Sequence, residues 1–265
     1  MSSTARDISD DNVCQNSLDV KPSVSHFPET ADIETSSDGY AQRFAGEVGA
    51  WFLRVQEDAT LRLLHAVPNA RILDVGGGHG QLTPALVRHG YHVTVLGSDV
   101  SCQKRLQPLL ARQLCTFDIG NILALPYADQ QFDVVVSYRL LPHVQAWQQC
   151  IAELTRVAQQ AVLIDYPAIC SVNYIAPLLF KVKKGLEGNT RPYTSFKEQE
   201  LLAVFHTHGF YRADRFAEFF LPMVLHRMMR CQRLSWSLEA ICRVSGLTAM
   251  FGSPVILKLL RSRQV

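Results

Sequence analysis

The sequence has few cysteines, few charged residues and no long apolar run, and each shortage excludes a class of protein. Seven cysteines in 265 residues, with no Cys-x-x-Cys pair, exclude a disulfide scaffold and a zinc-finger arrangement. No uncharged apolar run reaches the roughly 18 residues of a membrane-spanning helix. Residues 1–20 are polar and acidic, so no secretory signal is expected. Because 48% of the residues are hydrophobic, we expect a globular cytoplasmic protein.

Charge is distributed unevenly along the chain. Residues 1–39 contain eight acidic and two basic residues, whereas residues 211–265 contain nine basic and three acidic ones. Residues 1–38 also lack apolar periodicity, which predicts a disordered acidic tail followed by one domain over 39–265. This basic C-terminal segment is either a solvated helix face or a surface for an anionic or membrane-associated partner. No basic stripe interleaved with aromatic residues is present, so nucleic acid binding is not expected.

Short apolar runs alternate with helical patterns through most of the chain. Strands are predicted at 71–75, 92–96, 115–118, 132–138, 161–166, 210–216 and 254–260, and helices at 82–89, 103–111, 147–158 and 197–208. This alternation is typical of a parallel sheet with helices on both faces. We expect lid helices over 39–68 and two insertions, at 167–196 and 219–250, that cover the substrate.

The strongest chemical signal is a glycine loop directly after the first predicted strand. It reads Ile72-Leu73-Asp74-Val75-Gly76-Gly77-Gly78-His79-Gly80. Its glycines let the backbone turn tightly and let a ligand approach the bare main chain. A nicotinamide dinucleotide is disfavoured, because Gln81 or Thr83 stands where the third glycine of G-x-G-x-x-G belongs. The acid Asp74 inside the motif instead suits a ligand with an ammonium group and no phosphates.

With this D-x-G-x-G-x-G loop the chain resembles the class I S-adenosylmethionine (SAM) dependent methyltransferases, in particular the small-molecule group that includes the ubiquinone and menaquinone enzymes. The resemblance covers roughly residues 70–166 and, more loosely, 190–220. Three further motifs carry it: Asp99, the stretch Gly120-Asn121-Ile122-Leu123-Ala124-Leu125-Pro126-Tyr127, and the stretch Phe132-Asp133-Val134-Val135-Val136-Ser137. It implies an α/β, Rossmann-like class I fold with a seven-stranded mixed sheet of order 3-2-1-4-5-7-6, an antiparallel last strand, helices on both faces and a helical lid.

The resemblance also implies the cofactor, which is SAM with S-adenosylhomocysteine (SAH) as product, and no metal. Asp99 is expected to bind the ribose hydroxyls, with a helix N-cap as the alternative role. Asn121 stands where the family has an Asp that meets the adenine amino group. The complete set of expected cofactor residues is Asp74, Gly76, Gly77, Gly78, Gly80, Asp99, Val100, Asn121, Ile122 and Tyr138.

Methyl transfer from a sulfonium is an in-line displacement, so alignment and exclusion of water can supply much of the catalysis. An acidic acceptor atom still benefits from a base, and His143, just past the fourth strand, is the candidate. Expected substrate contacts are Arg139, Tyr166, Tyr174 and Tyr193. The predicted activity is methylation of a small apolar metabolite; an NAD(P)-dependent oxidoreductase and a non-catalytic SAM-binding protein stay open as alternatives.

Overall fold

A computed structural model describes residues 27–171 and 193–262. The strands are β1 (Arg71–Val75), β2 (His92–Gly97), β3 (Cys115–Ile119), β4 (Phe132–Ser137), β5 (Ala158–Tyr166), β6 (Phe210–Ala217) and β7 (Val255–Arg261). The helices in these residues are α1 (Ala31–Thr35), α2 (Asp38–Gln42), α3 (Gly46–Leu64), α4 (Thr83–Arg88), α5 (Gln107–Leu110), α6 (Trp147–Val157), α7 (Glu198–Thr207), α8 (Met223–Met229), α9 (Gln232–Val244) and α10 (Leu247–Phe251).

The seven strands form one mixed sheet in the order β3-β2-β1-β4-β5-β7-β6. Strands β1 to β5 are parallel, and β7 runs antiparallel to both β5 and β6. This is the predicted order, and the fold prediction is confirmed. The chain leaves β1 toward β2 on one side and returns to β4 on the other, so a crevice opens at the carboxyl ends of β1 and β4.

Both faces of the sheet are covered, which explains the nearly continuous apolar character of its strands. Neighbouring residues of a strand point to opposite faces. In β1, Leu73 belongs to the core that contains residues of α6 and α7, whereas Ile72 belongs to the core that contains residues of α3 and α4. Both side chains are fully buried. The sheet is therefore rigidly held on both sides of the crevice.

A buried acid and a buried histidine hold the helical insertion after β6 together and against α3. Both carboxylate oxygens of Glu239 accept backbone hydrogen bonds, from Phe220 at 2.9 Å and Leu221 at 2.8 Å. Its Oε1 also lies 3.0 Å from Nε2 of the fully buried His226. The imidazole packs edge-on against Trp51 of α3, with ring centroids 5.3 Å apart. Helices α8 and α9 thus lie next to α3.

The prediction of a disordered tail up to residue 38 is wrong for residues 27–38. Helix α1 and the start of α2 lie there, and Asp32 of α1 is fully buried. Its carboxylate accepts hydrogen bonds from the backbone N–H and the hydroxyl of Ser98, at 2.6 and 2.5 Å. One of the acids that gave this segment its polar composition thus holds it against Ser98, just after β2. The rest of the expected tail and most of the first insertion, 167–196, lie outside the described residues.

The helix predicted over 103–111 is also wrong in part. Residues Val100–Leu106 form a 3₁₀ segment, and a separate short helix, α5, follows. Pro108 lies in the first turn of α5, because a proline lacks the N–H that a continuous helix needs. Over the described ranges 27–171 and 193–262, no helix combines the length and apolar character needed to cross a bilayer.

Candidate functional site

The glycine loop leaves β1 at the carboxyl edge of the sheet. Gly76 and Gly80 adopt left-handed backbone conformations, with φ of 77° and 63°, on either side of the 3₁₀ turn Gly77–His79. The N–H of Gly76 donates to the carbonyl of Leu96 at 2.9 Å, which ties the loop to β2. A Cβ at Gly77 would lie 2.2 Å from the carboxyl carbon of Asp74. Only glycine at this position lets the carboxylate lie directly against the loop backbone.

Asp74 is a buried carboxylate beside this bare backbone, with 1% of its surface exposed. Burial raises its pKa to about 6, although the Thr83 hydroxyl, 3.0 Å from Oδ2, and the charge of Arg139 act in the opposite direction. Above that pH the group is ionised, and in the described part of the chain no ion pair neutralises it. A ligand cation would supply the missing charge.

The N-terminal segment and the turn after β2 enclose the loop from outside. A Cβ at Gly78 would lie 2.5 Å from both the carbonyl oxygen of Cys102 and Oγ of Ser36. A Cβ at Gly80 would lie 2.9 Å from Cβ of Arg105. The Arg105 guanidinium donates to Asp38 at 2.6 Å and to the Ser36 carbonyl at 3.3 Å. Residues 27–38 therefore cover the glycine loop.

The expected ribose and adenine residues lie at the ends of β2 and β3. Asp99 follows β2, is partly buried and accepts the Ser101 N–H at 2.8 Å, so the N-cap role is present. Val100 beside it is 43% exposed. Asn121 accepts the Leu123 N–H through Oδ1 at 2.9 Å and so stabilises its own turn, and Ile122 is fully buried beneath it. Contacts of these residues to a cofactor stay a prediction.

Four polar side chains meet at the carboxyl ends of β4, β5 and β6, and we call this set the acceptor-edge cluster: Gln56, Arg139, Asp165 and Glu218. Nε2 of Gln56 donates to Asp165 at 3.3 Å and to Glu218 at 3.1 Å, and its Oε1 accepts from Nη2 of Arg139. The backbone N–H of Arg139 donates to Asp165 at 2.6 Å. The predicted substrate residue Arg139 is thus placed next to the crevice by three elements of the fold.

Two carboxyl groups in the cluster have perturbed acidity. Burial raises the pKa of Asp165 to about 6, against the backbone N–H and the charge of Arg139. Burial and the nearby Asp165 charge raise the pKa of Glu218 to about 8. Each side chain is only 3% exposed. At neutral pH, Glu218 therefore holds a proton, and Asp165 carries the charge opposite Arg139.

His143 ends a 3₁₀ turn, Leu141–His143, that follows β4. Its ring meets that of Tyr193 edge-on, with centroids 5.4 Å apart, and Tyr193 is 63% exposed. The structure thus brings the predicted base and one predicted substrate residue together at the rim. Tyr174, another predicted substrate residue, lies outside the described residues.

Two predicted ligand contacts are not supported by the positions of the side chains. Tyr138 is 1% exposed, and its hydroxyl lies 2.9 Å from that of Thr60, so it joins β4 to α3 within the core. Tyr166 is also 1% exposed and donates to Glu198 of α7 at 2.8 Å. Both rings are buried between the sheet and a covering helix, α3 for Tyr138 and α7 for Tyr166.

Comparison with known proteins finds a family match over the segment that contains the glycine loop. Residues 73–164 match the methyltransferase-domain family, and this segment runs from β1 to β5. This segment forms a methyltransferase domain and is similar to the class I SAM-dependent methyltransferases. The matched segment contains the glycine loop, Asp99, Asn121 and the predicted base His143.

Two curated methyltransferases are similar over part of their length. An alignment of 128 positions, which covers 44% of this chain, is 31% identical to an uncharacterised methyltransferase of Schizosaccharomyces pombe and covers 45% of that protein. An alignment of 145 positions, which covers 49% of this chain, is 30% identical to a demethylmenaquinone methyltransferase of Deinococcus radiodurans and covers 60% of that protein. The match thus spans about half the length of these methyltransferases.

A solved methyltransferase shows the same fold. The magnesium protoporphyrin IX methyltransferase from Synechocystis, solved with bound SAH, has a TM-score of 0.60 and 17% identity, covering 86% of this chain and 96% of that one. At this identity the likeness establishes the class I methyltransferase fold, in agreement with the sheet order described above.

Three residues of the candidate site were missing from the sequence-based prediction. Asp32 docks the N-terminal segment, and Gln56 and Glu218 complete the acceptor-edge cluster. A signal was present only for Glu218, which is a single acid in the aromatic stretch Phe216-Ala217-Glu218-Phe219-Phe220 at the end of a strand. An acid between large apolar residues is rarely buried unless it has a partner.

Proposed function

We propose that this chain transfers a methyl group from SAM to a small organic acceptor and releases SAH. The observation that carries the proposal is the ionisable Asp74 carboxylate, buried without an ion-pair partner in the described residues and directly beneath the bare backbone of Gly77. An ionised carboxylate only accepts hydrogen bonds, so it suits the ammonium group of an amino acid, which only donates them. It does not suit a pyrophosphate, which a carboxylate would repel.

The residues around the loop fit the remaining parts of such a cofactor. Asp99 follows β2 at the distance along the chain where class I enzymes carry a ribose-binding acid, and the exposed Val100 comes next. Asn121 supplies an amide at the end of β3. SAM, when bound, supplies an electrophilic methyl group on a sulfonium. The chain's own groups bind it, orient it and exclude water.

On the acceptor side, His143 at the rim is proposed to take a proton from the acceptor atom as it is methylated. The neighbouring Tyr193, edge-on at 5.4 Å, limits where an acceptor can lie against the imidazole. Phe44 is partly buried, and its ring centroid lies 4.8 Å from Cζ of Arg139 on the same side of the crevice. An apolar ring at this position favours an acceptor with an apolar body.

Titration of the full chain with SAH and with NAD by calorimetry tests the cofactor assignment. SAH should bind and NAD should not; binding of NAD alone would favour the oxidoreductase. Methyl-labelled SAM is then incubated with a panel of apolar and hydrophilic acceptors. Turnover of hydrophilic acceptors alone contradicts the proposed acceptor class, and SAH binding without any transfer supports a non-catalytic SAM-binding protein.

A His143→Ala variant tests the proposed base. Loss of one general base should lower kcat by about 10²- to 10⁴-fold, with SAH affinity unchanged. The pH dependence of the residual rate should lose the limb that reports deprotonation of the base. A kcat within about threefold of the parent value, below any general-base effect, shows that His143 only packs at the rim.

A further inference from the structure

The acceptor-edge cluster contains a positively charged group whose hydrogen-bonding capacity is not used up. Gln56 is fully engaged, since its amide nitrogen donates to Asp165 and Glu218 and its oxygen accepts from Nη2 of Arg139. Nη1 of Arg139 is buried and has no hydrogen-bond partner within residues 27–171 and 193–262. A buried donor without a partner is unfavourable, and native structures rarely leave one unless something binds there.

The backbone holds this guanidinium in a strained but well-supported position. Arg139 has a φ of 59°, a left-handed conformation that is uncommon for any residue other than glycine. The hydrogen bond from its N–H to Asp165, at 2.6 Å, holds the backbone. On the side chain, the ring of Phe44 stacks with its centroid 4.8 Å from Cζ. Strain of this kind persists where the surroundings determine the geometry, and it is concentrated at ligand sites.

The guanidinium lies between the glycine loop and the lid. Its positive charge works to lower the pKa of groups on every side of it: Asp74 and His79 of the glycine loop, Tyr40 of α2, and Asp165 and Glu218 of its own cluster. No carboxylate of the described residues forms an ion pair with it. A ligand oxygen placed between the cofactor loop and the acceptor edge therefore meets an available positive donor.

We propose that Nη1 of Arg139 binds an anionic oxygen, a carboxylate or a phenolate, and that Gln56 and Asp165 are positioning residues for it. This inference rests on the proposed function, because it names the ligand chemistry of the same site. The oxygen has two possible sources, the methionyl carboxylate of the cofactor or an acidic oxygen of the acceptor. Arginine suits either one, because its planar fork donates to such oxygens while Nη2 stays on Gln56.

Arg139→Met is titrated with SAH and with 5′-methylthioadenosine, which lacks the amino acid part. If the cofactor supplies the oxygen, the variant loses at least about tenfold in affinity for SAH and keeps its affinity for methylthioadenosine, because a charge-assisted hydrogen bond is removed. If the acceptor supplies it, both affinities stay the same. In that case benzoate, titrated into SAH-saturated protein, binds the parent chain more tightly than benzamide, and Arg139→Met abolishes this preference.

Two further variants serve as a conservative replacement of Arg139 and as a control at a neighbouring arginine. If Arg139→Met fails to fold, Arg139→Lys is used instead, because it retains the buried charge. A single ammonium cannot reach both Gln56 and the ligand as the guanidinium does. Whichever affinity depends on Arg139, for SAH or for benzoate, should therefore fall. Arg43→Met removes a nearby arginine that stacks on Tyr40, 4.9 Å from the ring centroid, and should change neither affinity.

Unchanged SAH affinity together with unchanged benzoate preference, in any folded Arg139 variant, overturns this inference and leaves the proposed function standing. A parent chain that binds no SAH contradicts the proposed function itself.

Discussion

Replacing Asp74 by Asn should stabilise the ligand-free fold and weaken cofactor binding at the same time. Asn has the same shape and can still accept the Thr83 hydroxyl, which lies 3.0 Å from Oδ2 in the parent chain. The variant lacks only the charge. In the parent chain burial raises the pKa of Asp74 from 3.8 to about 6. The folded state thus binds the proton more tightly than the unfolded state does, and stability falls as the pH rises through this window.

The magnitude follows from the size of this pKa shift. A raised pKa of about two units corresponds to about 3 kcal/mol of lost stability, complete above pH 6 and absent below pH 4. Asp74→Asn should recover it at pH 8 and show no difference at pH 4. Loss of a charged hydrogen bond to the ligand ammonium should cost about 2 to 3 kcal/mol, a roughly 30- to 150-fold weaker affinity for SAH.

The assay combines urea unfolding and SAH calorimetry between pH 5 and 8. Parent affinity should fall as the pH drops through 6, where Asp74 takes up a proton, and the affinity of the variant should lack this titration. Asp133→Asn is the control, because Asp133 accepts the Arg71 N–H at 2.8 Å at the opposite end of the sheet. SAH affinity of Asp74→Asn within about threefold of the parent would refute the assignment, since it is far below the loss of a charged hydrogen bond.

Three other changes test the surrounding structure. Gly77→Ala should abolish SAH binding, because its Cβ would stand 2.2 Å from the Asp74 carboxyl carbon; calorimetry measures this. Asp32→Asn should lower the free energy of unfolding by about 2 to 3 kcal/mol and speed amide exchange in residues 27–38, because it puts an N–H₂ group against the donors of Ser98. Glu218→Gln should gain stability over the parent as the pH rises from 5 toward 8, where the parent must ionise a buried carboxyl; urea unfolding across this range measures it.

Matched variants separate these effects from general damage. Gly39→Ala places its Cβ no closer than 4.0 Å to another atom and should leave SAH binding intact. Asp38→Asn removes exposed ion pairs of the same N-terminal segment and should cost far less than Asp32→Asn. Equal amide exchange in the two N-terminal variants, or a pH-independent difference between Glu218→Gln and the parent, would contradict the reasoning.

The sheet could be predicted from the sequence because its strands are buried on both faces. Strand β1 has four fully or almost fully buried residues in five, and the prediction of 71–75 coincides with it. Boundaries were less predictable where a helix runs directly into a strand. Helix α6 ends at Val157 and β5 begins at Ala158, whereas periodicity predicted the helix to 158 and the strand from 161. No turn residue separates the two elements, so neither pattern shows where one ends.

The N-terminal segment shows why polar composition misled the prediction. Residues 27–38 contain four acids and few apolar residues, which is typical of disorder. One of these acids, Asp32, is buried, accepts hydrogen bonds from the Ser98 N–H and hydroxyl, and accepts from the Cys102 thiol at 3.3 Å. Composition averages over residues and cannot detect a single buried acceptor whose donors lie 66 to 70 positions away.

Separation along the chain also explains why one part of the site, the glycine loop, could be predicted from local sequence and the other, the acceptor-edge cluster, could not. The glycine loop is local, because Asp74 and Gly77 meet within four residues and their spacing is itself the motif. The acceptor-edge cluster joins Gln56 to Asp165 and Glu218 across 109 and 162 positions. Amphipathic spacing predicted the helix that became α3 but not which of its residues crosses the ends of β4 and β5. If this cluster contacts the acceptor as proposed, we expect acceptor specificity to depend on how α3 and the segment after β6 pack over the sheet, and to differ among methyltransferases that share this loop.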